Sequence, residues 1–323
     1  MSAPALEELL ADRGVRIVGR LYEKDAGRSW VARVERAREP AVLKWVEETA
    51  AARCRDELAH ERAFYRRFPG LRCAPNLLDE LDAPGLGAGL VLTHHEGTTL
   101  RQWLLDRRSA PPDLDEIARC AEAVGSALRE LFVLDVSEAP DREAERRRLG
   151  RVFTVLMKSG PIQAPVDEEE RGANLRLYRW AAPLAHRTLT RALDALPERA
   201  CIAHGDLHPN NVLITPEPRV LLLDFGRAEP GECVADLAYL ATTLEIALAD
   251  RPQAGELFAG EITRTLEALA LPVRPFGKLV EVLRLGGSVN SRLRPDGKRP
   301  AAAARLVLLP RLVAAAARSA LPA

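Results

Sequence analysis

The chain has 323 residues, enough for one large domain or two lobes, with 47% apolar and 28% charged residues, the balance of an ordinary globular protein. Its formal net charge is zero, so bulk electrostatics point to neither nucleic acid nor an acidic partner, although from residue 271 onward ten Lys/Arg face two Asp/Glu. Five widely spaced cysteines without a C-x-x-C pair exclude a disulfide framework and a thiolate zinc site and fit a reducing, cytoplasmic setting.

In chain order, residues 1–13 read as a short helix with no basic n-region, so a signal peptide is not expected. Val15, Ile17 and Leu21, then Trp30, Ala32 and Val34 after the turn-like EKDAGRS, alternate at period two and predict a strand–turn–strand; AVLKWV at 41–46 predicts a third strand. Residues 47–68 have helical character, and LVLT at 90–93 reads as a buried strand after the turn-rich DAPGLGAG. Together these make a small α+β unit. The rest is mostly helical: Leu114, Ile117, Ala121, Val124, Leu128 and Leu131 recur at helical spacing, residues 141–158 and 167–195 read as helices, and helices return at 234–249, 253–270 and 276–286. Only 201–226 breaks the pattern, with short apolar runs joined by turns. No stretch of about 18 charge-free apolar residues occurs, so no integral membrane segment is expected; the apolar tail is interrupted by Arg305, Pro310, Arg311 and Arg318. The expected organisation is a small β-rich lobe over 1–93, a hinge at 94–97 and a helical lobe over 98–323, with a helical insertion around 135–195.

The chemistry concentrates in two stretches, HGDLHPNNVLI at 204–214 and LLLDFG at 221–226. Phosphoryl transfer requires a carboxylate to orient or deprotonate an attacking hydroxyl, oxygen ligands for Mg²⁺ and a cation on the phosphates. Asp206 ends one apolar run, Asn211 follows five residues later, and Asp224 ends the hairpin NVLIT–PEP–RVLLLD, so three oxygen-bearing side chains converge on one edge, a set suited to a hard cation. The chain has five lysines against 41 arginines, and of these lysines only Lys44 falls within a predicted strand. An ammonium buried there needs a partner. Alternation places Val42, Lys44 and Val46 on one face.

H-G-D-x-x-x-x-N followed by D-F-G resembles the catalytic and metal-binding motifs of the protein-kinase-like superfamily, and the wording of the first motif resembles its aminoglycoside phosphotransferase and choline-kinase branch. The resemblance implies a bilobal α+β kinase-like fold using ATP or GTP with Mg²⁺. It makes Asp206 the catalytic base, Asn211 and Asp224 the Mg²⁺ ligands, His204 a support of the loop, and Asp236 a buried brace of that loop. Lys44 would meet the α- and β-phosphates and a glutamate of the next helix, with Glu61 preferred and Glu57, one turn earlier, the alternative. Val42 would line the base pocket, and the base would bond to backbone at Thr93, His94, His95 and Glu96. GRLYEKDAGRSW departs from the pattern, having Gly19 and Gly27 but no G-x-G-x-x-G.

Only nine residues separate Gly226 from Asp236, too few for a peptide-docking activation segment, whereas 106 lie between Gly97 and His204. Both lengths favour a small-molecule acceptor (an aminoglycoside, sugar, nucleoside or amino alcohol) over a protein. The alternatives are an atypical Ser/Thr protein kinase and a nucleotide-binding pseudokinase acting as a regulatory module. The acidic run 167–170 could contact a polycationic acceptor, but it reads first as a solvated helix start.

Overall fold

The structure is a computed structural model that describes residues 3–106, 112–134, 136, 138–158, 182–217, 219–249 and 251–288. The chain forms a small antiparallel-sheet lobe and a larger helical lobe, divided into one compact unit of 1–98 with 213–229 and a second of 99–212 with 230–323.

In the first unit, α1 (Ala3–Asp12) leads into β1 (Val15–Lys24), β2 (Ser29–Arg36) and β3 (Glu39–Glu47), followed by α2 (Ala52–Arg67), β4 (Leu77–Ala83) and β5 (Gly87–Thr93). The strands form one sheet in the order β1-β2-β3-β5-β4, all neighbours antiparallel. One face is apolar: Ala41, Leu43 and Trp45 of β3 pack with Leu10, Val15, Trp30, Ala32, Val34, Leu81 and Val91. Full burial of side chains of this size stabilises by roughly 1.5–3 kcal/mol each. Because strand side chains alternate, committing Leu43 and Trp45 to that core sends Val42, Lys44 and Val46 to the opposite face. The sequence reading overlooked β4, whose LLDELDA carries too many acids to look like a strand; Glu80 and Asp82 are instead taken by Arg62 and Arg66 of α2. Nor does α2 begin at residue 47. It starts at Ala52, where no side chain of its own caps it and Asp25 of the β1–β2 turn accepts the Ala51 N–H at 2.7 Å.

Segment 213–229 belongs to this unit. The expected cut along the chain at 94–97 could not express this, because the segment returns from far downstream. After the two-residue β6 (Thr98–Thr99) in chain order, its strands β8 (Val212–Ile214) and β9 (Val220–Leu222) are neighbours, the Leu222 N–H donates to the Cys73 carbonyl at 2.7 Å, and Arg219 donates to the Arg72 carbonyl. Gly97 is required here, since a Cβ would stand 2.3 Å from the Ile214 carbonyl oxygen.

The second unit holds α3 (Leu100–Asp106), α4 (Leu114–Phe132), α5 (Arg142–Lys158), α6 (182–194), α7 (Val234–Ala247), α8 (Pro252–Ala268) and α9 (Val273–Ser288), with β7 (Cys201–Ala203) paired to β10 (Glu229–Gly231). The Asp113 side chain caps α4 by accepting the Glu116 N–H at 2.7 Å, and of its periodic apolar residues Ile117, Ala121, Val124, Leu128 and Leu131 are buried while Leu114 stays exposed. Helix α7 is buried from Val234 to Leu244 on every side, as expected of a helix with little polar surface. Among the described residues no helix is long and apolar enough to cross a membrane, and all five cysteines are buried and unbridged. The acidic run 167–170 and the chain after 288 lie outside the described residues.

Candidate active site

In the first unit, Lys44 reaches from the non-core face of β3 to Glu61 of α2, with Nζ 2.7 and 2.8 Å from the two carboxylate oxygens and 3.1 Å from Asp224 Oδ1. Glu61 takes this place, and Glu57 does not. Burial opposes the Lys44 charge, but Glu61 and then Asp224 outweigh it and hold the ammonium above its ordinary range.

Asp224 is set in place by its neighbour. Phe225 is fully buried, stacked on Phe64 of α2 with centroids 3.9 Å apart and met edge-on by Tyr65 at 5.9 Å. Asp224 sits at φ 66°, a left-handed conformation that L-residues adopt only under constraint, and its side chain remains half exposed. At Gly226 a Cβ would press to 3.1 Å on the Glu57 carbonyl oxygen. Thus the D-F-G residues are pinned to α2 by an aromatic stack, a close backbone approach and, through Lys44, an ion pair. Tyr65 lies in the same wall, where burial and then the Glu61 and Asp224 charges push its hydroxyl well up.

At the end of β5, Thr93 Oγ1 accepts the Asn76 N–H at 2.9 Å and contacts His95 Nε2 at 2.9 Å. Burial and the Arg33 charge lower His94, and burial and Arg219 lower His95, so both rings are neutral at neutral pH. Val42 is half-buried on the Lys44 face, and Glu96 is exposed.

The second unit carries the other motif. After β7 the chain passes through buried His204 and Gly205 (φ 79°) to Asp206, then through a single 3₁₀ turn, Pro209–Asn211. Asn211 Nδ2 donates to the Asp206 carbonyl at 2.9 Å, which closes the loop and fixes the amide's orientation. His208 caps the turn by accepting the Asn210 N–H at 3.2 Å, and its Nε2 lies 3.9 Å from Asp206 Oδ1. Asp236, buried in α7, accepts the His204 N–H at 2.6 Å and the Gly205 N–H at 3.1 and 3.2 Å.

Beneath this loop lies a cluster that sequence reasoning missed. Glu145 of α5 accepts the Ala235 N–H at 2.5 Å and an Arg148 N–H at 2.9 Å; Arg148 also donates to the Glu232 carbonyl at 3.1 Å, and Arg142 pairs with the Glu232 carboxylate at 3.2 Å. Burial pushes Glu145 up to about 8, against Arg148 and the Ala235 N–H, with Asp236 and Glu232 adding to the rise. No signal in REAERRRLG separates these inward charges from a solvated helix face.

Asn211 offers an amide oxygen and Asp224 a half-exposed carboxylate, both hard oxygen donors of the type Mg²⁺ takes. Among the described residues no group of three or more His, Cys, Asp or Glu could hold a metal by itself, and such a cage is not needed by an ion bound through one or two protein ligands and phosphates.

Comparison with known proteins gives the same direction. Residues 20–272 match the family model described as the phosphotransferase enzyme family. An aminoglycoside 3'-phosphotransferase from Streptomyces ribosidificus is 34% identical over 150 residues, covering 45% of this chain and 52% of that protein, so the match spans about half the relative's length. The crystal structure of aminoglycoside phosphotransferase APH(4)-Ia superposes with a TM-score of 0.58 at 17% identity over 99% of this chain and 100% of the other. That of a choline kinase from Streptococcus pneumoniae superposes with a TM-score of 0.50 at 14% identity over 98% of each chain. At these identities the structures speak for the fold alone, but the family match covers most of the sequence. The chain belongs to the phosphotransferase enzyme family.

Proposed function

We propose that the chain transfers the γ-phosphoryl group of ATP, or of GTP, to a hydroxyl of a small molecule, with aminoglycosides the first acceptor class to test. The observation that carries this reading is the single ammonium of Lys44 bridging Glu61 and Asp224, an arrangement that holds a cation ready for phosphate oxygens. The acceptor class is supported by the 3'-phosphotransferase relative and by a structural neighbour solved with ADP and hygromycin B.

In this mechanism Asp206 orients the acceptor hydroxyl and takes its proton, and Asn211 keeps the Asp206 backbone in register. Lys44 grips the α- and β-phosphates, with Glu61 fixing its position. Thr93 to Glu96 offer backbone to the base, beside Val42. Asn211 and Asp224 would hold Mg²⁺, which supplies charge neutralisation at the triphosphate. His204 and Asp236 act on geometry, not on the reacting atoms.

The test is mass detection of phosphorylated product from Mg-ATP and a panel of aminoglycosides, sugars, nucleosides and amino alcohols, with a protein substrate as contrast. Asp206→Asn is expected to lower turnover by roughly 10²–10⁴ while nucleotide affinity is retained. Product formed at the wild-type rate by this variant, or no product from any acceptor, would sink the reading.

A further inference from the structure

The two glutamates that compete in the sequence for Lys44 each take a lysine. Glu61 binds Lys44, and Glu57, one turn earlier on α2, binds Lys24 Nζ at 2.9 Å. Glu57 and Glu61 lie one turn apart on the same face of α2, so the two lysines are drawn to neighbouring places along that helix. Glu57 also takes Arg53 at 2.9 Å and Arg227 at 3.3 Å, and the Asp224 charge acts on Lys24 as it does on Lys44, so Lys24 and Arg227 stand beside the pair read above as the phosphate grip. Both remain partly exposed. Two partly exposed cations in that place suit phosphate oxygens.

The positions of the two cations strengthen this. Lys24 ends β1 and opens the β1–β2 turn, the stretch where no glycine-rich backbone cradle exists; Arg227 directly follows the D-F-G segment. The turn is tied to α2, because Asp25 accepts the Ala51 N–H and Arg28 donates to the Thr49 carbonyl at 3.1 Å. Burial opposes the Lys24 charge, yet the hydrogen bond and charge of Glu57 raise its pKa, with Asp224 adding to the rise, so it stays a cation across the working range.

We propose that Lys24 and Arg227 form a second cation pair for the polyphosphate tail of the nucleotide, whose oxygens replace Glu57 on them, in place of the missing glycine loop. This inference rests on the phosphotransfer reading above and names residues that reading does not use.

The test is calorimetric binding of Mg-ATP, Mg-ADP and AMP to the full chain. Lys24→Met and Arg227→Met are each expected to weaken Mg-ATP binding roughly tenfold and to leave AMP binding unchanged, since a charge-assisted contact to phosphate is lost and no contact to the nucleoside is. Glu57→Gln keeps both cations and removes their competitor, so its ATP-over-AMP preference should equal or exceed that of the wild type. An unchanged ATP-over-AMP ratio in both cation variants overturns the inference, as does a parallel loss of ATP and AMP affinity, which marks a structural role. A reduced ratio in Glu57→Gln overturns it too. A wild-type chain that binds no nucleotide removes the phosphotransfer reading with it, whereas a wild type that binds ATP beside unaffected variants removes only the second cation pair.

Discussion

The two motif-bearing regions handle buried charge in opposite ways. In the small lobe Glu61 is buried, but the side chain of Lys44 is 19% exposed and that of Asp224 50%, so the Lys44–Asp224 pair is open to other ions. In the helical lobe, Glu145, Arg148, Glu232 and Asp236 are each at most 4% exposed; backbone N–H groups donate to Glu145 and Asp236, Arg148 donates to a backbone carbonyl, and the Glu232 carboxylate is held by its ion pair with Arg142. An open ion pair in water contributes little to stability but can exchange partners. A closed network is costly to break, because each member stripped of its partner is left uncompensated. The first arrangement suits a group that must receive a ligand, the second a scaffold that must hold a loop still.

The sharpest way to break this contrast is to truncate the scaffold. Glu145→Ala would take from Arg148 and from the Ala235 N–H the buried oxygens that accept their hydrogen bonds. The expected loss of folding stability is about 3–5 kcal/mol, measured by chemical denaturation. A loss near zero would mean that the network is not what holds the Asp206 loop. The equivalent cut in the open region should act on affinity. Lys44→Met is expected to weaken Mg-ATP binding by roughly 10- to 100-fold, while Glu61, fully buried and no longer paired, is free to protonate; the melting temperature should change far less than in Glu145→Ala. If Lys44→Met instead unfolded the protein, the distinction between open pair and closed scaffold would collapse.

What the sequence made legible follows the same division. Lys44 stood out because a lysine inside an apolar strand demands a partner, and Asp206, Asn211 and Asp224 because two motifs, each weak alone, stand in order at spacings that resemble the kinase-like superfamily. Glu61 was preferred for Lys44, but Glu57 stayed open because both lie on one helix face and only the path of β1 sends a second lysine to the earlier one. Glu145, Arg148 and Glu232 were invisible for a stronger reason. A helix rich in Arg and Glu looks solvated unless tertiary structure covers it, and periodicity carries no trace of which charges are covered. β4 was hidden in the same way, its acids being matched by arginines from α2 and not by alternation.

The smallest expected effect probes the scaffold without removing it. Glu145 titrates near 8 in the folded chain against 4.5 for an ordinary glutamate, because burial, with Asp236 and Glu232 nearby, outweighs Arg148 and the Ala235 N–H. Its folded form therefore binds a proton more tightly than its unfolded form. The stabilisation this gives is complete below 4.5 and is lost as pH rises through about 8. Glu232 and Asp236 are also raised, burial again being the main cause, and they contribute with the same sign. Denaturation midpoints should thus fall between about pH 5 and 8, by the equivalent of at least about 1 kcal/mol. Glu145→Gln does not titrate, and its midpoint should fall less over the same interval. A slope equal to that of the wild type would assign the proton to Asp236 or Glu232 instead, and would show that the scaffold's weak point lies at the base of α7 and not on α5.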